Sequence, residues 1–117
     1  MTTTTQAKFL YVFRGGLTNA SPAEMQKHME KWLAWSKDLG DKGRFLSGDP
    51  LENAGKTVRG KEKTVTDGPF AEAKDLVGGF MLVGAKDLGE ATDLAKGCPI
   101  LEVGGSVEVR PVLPGRM

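Results

Sequence analysis

The stretch TVTDGPFAEAK, residues 64–74, followed by the apolar segment LVGGFMLV, residues 76–83, decides the fold of this chain. It joins a predicted hairpin to the most hydrophobic strand of the sequence. The chain must turn sharply at Asp67-Gly68-Pro69, because proline lacks a backbone donor and moves the residue before it out of the helical region. The glycine-bounded run at 78–84 then predicts a strand that is apolar on both faces.

A second strand of this kind is predicted near the N-terminus, at residues 8–14, where Gly15-Gly16 ends a run of β-branched and aromatic residues. Successive side chains of a strand point to opposite faces. The two faces are therefore aromatic on one side and aliphatic on the other: Phe9, Tyr11 and Phe13 against Leu10 and Val12.

Two helices are predicted between the strands. Ser21-Pro22-Ala23-Glu24 combines an N-cap serine, a proline at the first helical position and a glutamate that completes a capping box. The apolar face of this helix follows at helical spacing, and Gly40 or Gly43 supplies the stop: Met25, Met29, Trp32 and Leu39. Asp87 caps the second helix, with Glu90 three residues later.

The remaining segments predict shorter strands. Residues 44–47 form one, closed by Gly48-Asp49-Pro50, and residues 56–65 form a hairpin because Lys-Thr-Val occurs twice around a glycine-containing turn. The last strand, residues 106–112, alternates valines with charged residues. Pro111 indicates that this strand lies at or near a sheet edge.

The order β, α, β, hairpin, β, α, β predicts an α+β fold rather than a doubly wound sheet. Right-handed crossovers place both helices on one face of the sheet, which leaves the other apolar face bare. Burying about 500 Å² of this face would contribute on the order of 12 kcal/mol before the costs of association. The sequence therefore predicts a homodimer that packs sheet to sheet.

The composition limits the number of domains, the binding partners and the cofactors that the chain is expected to have. The 117 residues, 26% of them charged and with a net charge of +1, fit one globular domain, predicted at residues 7–113 between tails at 1–6 and 114–117. No basic run predicts nucleic-acid binding, and no segment predicts a membrane span or a secretion signal. The single cysteine, Cys98, favours a reducing compartment, so we expect a cytoplasmic protein. Neither metal-ligand spacing nor a dinucleotide or phosphate motif is present, and we expect no metal and no cofactor.

Four segments of the chain together resemble the YCII-related family, in particular its branch named for the Asp-Gly-Pro-Phe motif. They occur in the order found in that family and cover roughly residues 7–112: SPAEM at 21–25, TDGPFAE at 66–72, GGF at 78–80 and GSVEVRP at 105–111. The resemblance implies a ferredoxin-like antiparallel sheet with two helices on one face, assembled into a dimeric α/β barrel. It implies no established reaction.

Members of this family look like small-molecule enzymes because some have a pocket with a histidine and an aspartate. The matching residues here are His28 and Asp67, which would form an acid/base pair. Each has a structural alternative, since Asp67 suits a turn and His28 suits packing beside tryptophans. The residues predicted to contact a substrate are Trp32, Trp35, Phe70 and Arg14.

Two functions follow as hypotheses. The first is a small-molecule-binding dimer with cofactor-independent acid/base chemistry, using His28 and Asp67. The second is a ligand-binding or regulatory module that uses the same pocket without proton transfer. A fold does not choose between them.

Overall fold

A computed structural model describes residues 6–68 and 75–114 of the chain. These residues form six strands, two α-helices and a short 3-10 helix, in the order β1 Ala7–Arg14, α1 Pro22–Asp41, β2 Phe45–Pro50, β3 Lys56–Arg59, β4 Thr64–Asp67, β5 Val77–Ala85, α2 Leu88–Ala95, the 3-10 helix Pro99–Val103 and β6 Ser106–Pro111. The predicted tails lie outside the described residues except for Gln6 and Pro114, and the domain limits stay a prediction.

Four strands form the main sheet in the order β2-β5-β1-β6, and every neighbouring pair is antiparallel. The two crossovers, through α1 and α2, bring both helices against the same side of this sheet. The predicted α+β class, with a ferredoxin-like antiparallel sheet and two helices on one face, is confirmed. Strand β6 is an edge strand, as Pro111 indicated.

The core lies between the helices and what we call the covered face of the sheet. Alternation along β1 and β5 sends one set of side chains to this face, and all of them are buried: Phe9, Tyr11, Phe13, Met81, Val83 and Ala85. Tyr11 connects the sheet to both helices. Its ring stacks on Trp35 of α1 at 6.2 Å, and its hydroxyl donates to the carbonyl oxygen of Ala91 in α2 at 2.5 Å.

The first helix begins where its capping sequence predicts. The hydroxyl of Ser21 accepts from the N–H of Glu24 at 3.1 Å, and the Glu24 carboxylate accepts from the N–H of Ser21 at 3.2 Å. These two bonds satisfy donors that a helix N-terminus otherwise leaves free. At the other end Gly43 adopts a φ of 71°, a left-handed conformation that stops the helix at low cost.

Strand β2 corrects one sequence prediction. We expected residues 48–50 to close the strand, but they pair with residues 79–81 of β5 and belong to it. Proline is tolerated here because β2 is an edge strand, where a missing N–H costs no ladder bond. The register also shifts between Phe45 and Ser47, so this edge is irregular.

The predicted hairpin forms a separate two-stranded ribbon of β3 and β4, in which Lys56 pairs with Asp67 and Val58 with Val65. Both valines of that pair are exposed. The rest of the motif that follows this hairpin, residues 69–74, lies outside the described residues. No helix of the described chain is long and apolar enough to cross a membrane.

The opposite side of the main sheet, which we call the open face, carries no element of the described chain. Its centre is apolar, because Leu10 faces Leu82 and Val12 faces Phe80 across β1 and β5. Glu108 and Arg110 of β6 border this centre. All four central side chains are only half-buried.

Candidate functional site

A cavity of about 390 Å³ lies between the N-terminal half of α1 and one end of the main sheet. Most of its wall is apolar: Phe13, Leu17, Met25, Met29, Trp32, Phe45, Pro50, Phe80, Met81 and Ile100. The polar side chains in the wall are His28 and Ser36, and Asp49 borders the cavity on the exposed edge strand β2. Met25 and Met29 belong to the predicted apolar face of α1, and they are exposed and form part of this wall.

Glycines make room for the cavity, and five of them line it: Gly15, Gly16, Gly48, Gly78 and Gly79. At Gly16 the φ of 111° excludes most side chains. A Cβ at Gly48 would lie 2.7 Å from the carbonyl oxygen of Phe80, and one at Gly79 would lie 3.1 Å from that of Asp49. The cavity end of β2 and β5 therefore depends on close backbone approach, which the sequence predicted only for the paired glycines.

His28 lies in the cavity wall and is held by its neighbour one helical turn later. The indole Nε1–H of Trp32 donates to Nε2 of His28 at 2.8 Å, with the two rings nearly perpendicular at 80°. A neutral imidazole has one donor and one acceptor nitrogen, so this bond places the ring proton on Nδ1. Burial lowers the pKa of His28; the Glu102 carboxylate raises it and Lys31 lowers it. The ring is therefore neutral near pH 7.

The two tryptophans have different places. Trp32 lines the cavity and packs edge-on against Phe13, with ring centroids 4.9 Å apart. Trp35 stacks on Tyr11 inside the core and does not line the cavity. The structure thus gives one tryptophan to the site and one to the core, and the ligand contact of Trp35 stays a prediction.

Asp67 does not meet His28 in this cavity. It ends β4, its side chain is 80% exposed, and its carboxylate pairs with the ammonium of Lys56 across the ribbon. Within the described chain this carboxylate therefore faces solvent. The acid/base role of the pair stays a prediction.

The other predicted substrate contacts divide in a similar way. Arg14 pairs with Glu108 of β6, and neither residue lines the cavity. Phe70 lies outside the described residues. Of the six residues predicted for the site, the described cavity therefore brings together His28 and Trp32.

Sequence reasoning missed several members of the wall. Ser36 lies on α1 eight residues after His28, and Asp49 lies in the strand end that was interpreted as a turn. Helical spacing from His28 could have found Ser36, because residues seven or eight apart share a helix face. No local signal marks Asp49, whose place depends on the pairing of β2 with β5.

The remaining reactive side chains are structural. Cys98 is buried against the core, and burial raises the pKa of its thiol to about 11, which keeps it protonated near pH 7. Burial likewise raises the pKa of Tyr11 to about 12. Among residues 6–68 and 75–114, no three His, Cys, Asp or Glu side chains come close enough to hold a metal ion.

Comparison with protein families matches residues 9–116 to the YCII-related domain. Among solved structures, the chain is similar to 5-chloro-2-hydroxyhydroquinone dehydrochlorinase from Burkholderia phenoliruptrix AC1100 in complex with 2,5-dihydroxybenzoquinone. The TM-score is 0.50 at 19% sequence identity, over 92% of this chain and 95% of that one. No curated protein matches. At this identity the structural likeness shows the fold.

Proposed function

The chain belongs to the family of YCII-related domains, and we propose that it binds a small, flat, largely apolar molecule in the cavity between α1 and the sheet. The observation that carries this proposal is the cavity itself, with its apolar wall and a few polar side chains. Ligand sites in proteins have this composition, and their volumes range from about 300 to 1,000 Å³. A volume of about 390 Å³ suits a ligand of one or two rings.

The shape of the wall supports a flat ligand. Phe13, Trp32 and Phe45 all contribute aromatic rings to the cavity. Such rings favour offset or edge-to-face contacts with another ring. The dehydrochlorinase of similar fold is described in complex with 2,5-dihydroxybenzoquinone, a flat six-membered ring. That compound is therefore a reasonable first probe.

Acid/base chemistry is the second candidate function, and it rests on the titratable His28 in the cavity wall. Ligand binding is favoured over it, because Asp67 lies on the exposed ribbon and the Nε2 lone pair of His28 already accepts from Trp32. Catalysis by this pair requires a rearrangement that brings Asp67 to the cavity. Turnover of a bound probe that is lost in both H28A and D67A would support the acid/base function.

We also propose that the protein acts as a homodimer through the open face. Leu10, Val12, Phe80 and Leu82 form a continuous apolar centre, and the charged Glu108 and Arg110 border it. An apolar centre with a polar rim is the composition of a stable protein interface. Sedimentation velocity at micromolar concentration is expected to give the mass of two chains. A single 12.5 kDa species would contradict the dimer.

The two tryptophans allow a direct test of ligand binding. W35F keeps only Trp32, at the cavity, whereas W32F keeps only Trp35, in the core. We expect 2,5-dihydroxybenzoquinone to quench the fluorescence of W35F with a saturable curve, and that of W32F only by its own absorbance. Equal, unsaturable quenching in both variants would contradict binding in the cavity.

A filling substitution tests the place of the ligand. S36L adds a side chain to the cavity wall, and A34L adds the same side chain to the exposed part of α1. We expect thermal stabilisation by the probe to be lost in S36L and kept in A34L, because only the first removes cavity volume. Equal stabilisation in the two variants would place the ligand elsewhere.

A further inference from the structure

We propose that Trp32 is the positioning residue of the site: it fixes the tautomer of His28, so that the neutral ring offers a ligand a hydrogen-bond donor and no acceptor. The inference has two parts, the tautomer of His28 and the class of ligand that it selects. The second, the ligand half, deepens the proposed binding function and rests on it. Its structural half stands on the bond between the two side chains of α1, at 2.8 Å.

The geometry of α1 makes this arrangement stable. Residues four apart on a helix are neighbours, so Trp32 reaches His28 without any strain in the backbone. The Trp32 ring is itself fixed by its edge-on contact with Phe13 and by Trp35 at 5.7 Å. An indole N–H is a donor only. The atom it meets on His28 must therefore be the unprotonated nitrogen, and the proton must lie on Nδ1.

Two charged groups act on the ring. Glu102 of the 3-10 helix and Lys31 of α1 influence it and pair with each other at 2.8 Å, which reduces the effect of each. Asp49 borders the same cavity but lies on the exposed edge strand β2. The charges of Glu102 and Lys31 change how readily the ring gains a proton, but the tautomer of the neutral ring is set by the bond to Trp32.

The consequence concerns the class of ligand. A polar group that contacts this ring meets Nδ1–H, so the matching ligand atom is an acceptor such as a carbonyl or phenolate oxygen. A neutral imidazole can stabilise negative charge on such an oxygen without giving up its proton. The same bond makes His28 a poor general base, because Nε2 can accept a proton only after its hydrogen bond from Trp32 breaks.

His28 is the only histidine of the chain, so its imidazole nitrogens give one unambiguous set of ¹⁵N signals. At about pH 7.5 we expect the wild type to show the Nδ1–H form. In W32F the freed Nε2 should take the proton, and the pKa of His28 should rise, because an accepted bond favours the neutral ring. W35F is the control and should keep the Nδ1–H form.

An acid titration of the wild type gives the same answer without a variant. Protonation of Nε2 turns both ring nitrogens into donors and breaks the bond. The indole N–H signal of Trp32 should therefore shift with the pKa of His28, while that of Trp35 stays constant. A wild type with the Nε2–H form, a W32F protein that keeps Nδ1–H, or a Trp32 signal that ignores the titration would each overturn the inference.

The ligand half is tested with 1-indanone and indane, which differ chiefly in a carbonyl oxygen. We expect the wild type to bind 1-indanone about five- to tenfold more tightly, the effect of one hydrogen bond. H28F should bind indane more tightly than 1-indanone, because the buried carbonyl oxygen is then left without a donor. Equal binding by the wild type would overturn the donor role. Binding of neither compound would count against the proposed function, while the tautomer measurements would still decide the role of Trp32.

Discussion

The two faces of the main sheet are built from the same strands but differ in how they are covered. On the covered face, the aromatic side chains of β1 pack beside side chains of β5. Both sets lie under the two helices and are buried. On the open face, the apolar side chains of the same strands are only half-buried. The alternation of apolar residues along a strand therefore does not predict what covers each face of the sheet. The described chain supplies a cover for one face, and we propose that a second copy covers the other.

The covered face is also incomplete at one end, and this incompleteness forms the cavity. Toward the C-terminal half of α1, Leu39 fills the space between helix and sheet. Toward its N-terminal half, glycines at the strand ends leave about 390 Å³ unfilled. The same helix thus packs into the core at one end and forms a wall of the cavity at the other.

The largest effect is expected from breaking the covered face. Leu39 is 1% exposed, and L39A should lower the free energy of unfolding by about 2–5 kcal/mol, because the helix cannot fully close the space that is left. The matched control is L33A on the same helix, where the side chain is 66% exposed and the change should stay within about 0.5 kcal/mol. Urea unfolding measures both. A similar loss in the two variants would show that α1 does not pack by this face.

Breaking the open face should affect assembly rather than folding. L82E places a charge in the centre of the proposed interface, and we expect the dissociation constant of the dimer to rise about a hundredfold, as an unpaired buried charge costs several kcal/mol. Sedimentation equilibrium measures the constant. L33E, which adds the same charge to the exposed side of α1, should leave it unchanged. An unaltered dimer in L82E would mean that another surface forms the contact.

A smaller effect is expected from weakening the ion pair at the edge of the covered face. Arg44 and Glu90 pair at 2.6 Å, both 24% exposed, and the Glu90 carboxylate also accepts from the N–H of Lys86. E90Q should cost about 1 kcal/mol, because a charge-assisted bond becomes a neutral one. D41N breaks the well-exposed pair with Lys37 and should cost less than about 0.5 kcal/mol. Urea midpoints that fall equally would contradict this difference.

The smallest effect concerns His28 at the incomplete end. Burial lowers its pKa in the folded state below the unfolded value of 6.5, so the unfolded chain binds the proton first as the pH falls. The contribution of the neutral His28 ring to the free energy of unfolding is therefore complete above about pH 6.5. It decreases as the pH falls from 6.5 to the lower pKa of the folded state. Urea midpoints of the wild type should therefore fall more steeply than those of H28Q between about pH 7.5 and 5.5. Parallel curves would show that the ring is not desolvated.

Local signals determined where several elements begin and end, independently of the rest of the chain. The capping box at Ser21 and the N-cap at Asp87 occur where the sequence predicts them, and the helix stops at Gly43, one of the two predicted glycines. Alternation also assigned the two faces of β1. These features succeed because their physical causes, backbone capping and side-chain direction, act within a few residues.

The site was less predictable because its members meet through the sheet. Asp49 was interpreted as part of a turn, although pairing with β5 holds it in an edge strand at the cavity. Asp67 was predicted to form an acid/base pair with His28, yet within the described chain it lies in the ribbon and faces solvent. Spacing placed His28 near the tryptophans but did not reveal which of them bonds to it. Such contacts depend on register and packing, which no local pattern contains.

The sequence by itself determined the family, the α+β class and an apolar alternation on both faces of two central strands. It could do so because secondary structure and burial follow from periodicity. Only the tertiary structure decided that glycines at three strand ends open a cavity, that Trp32 rather than Trp35 lines it, and that Asp67 lies apart from His28. The physical reason is that a cavity is space left between elements, and its size depends on how they pack.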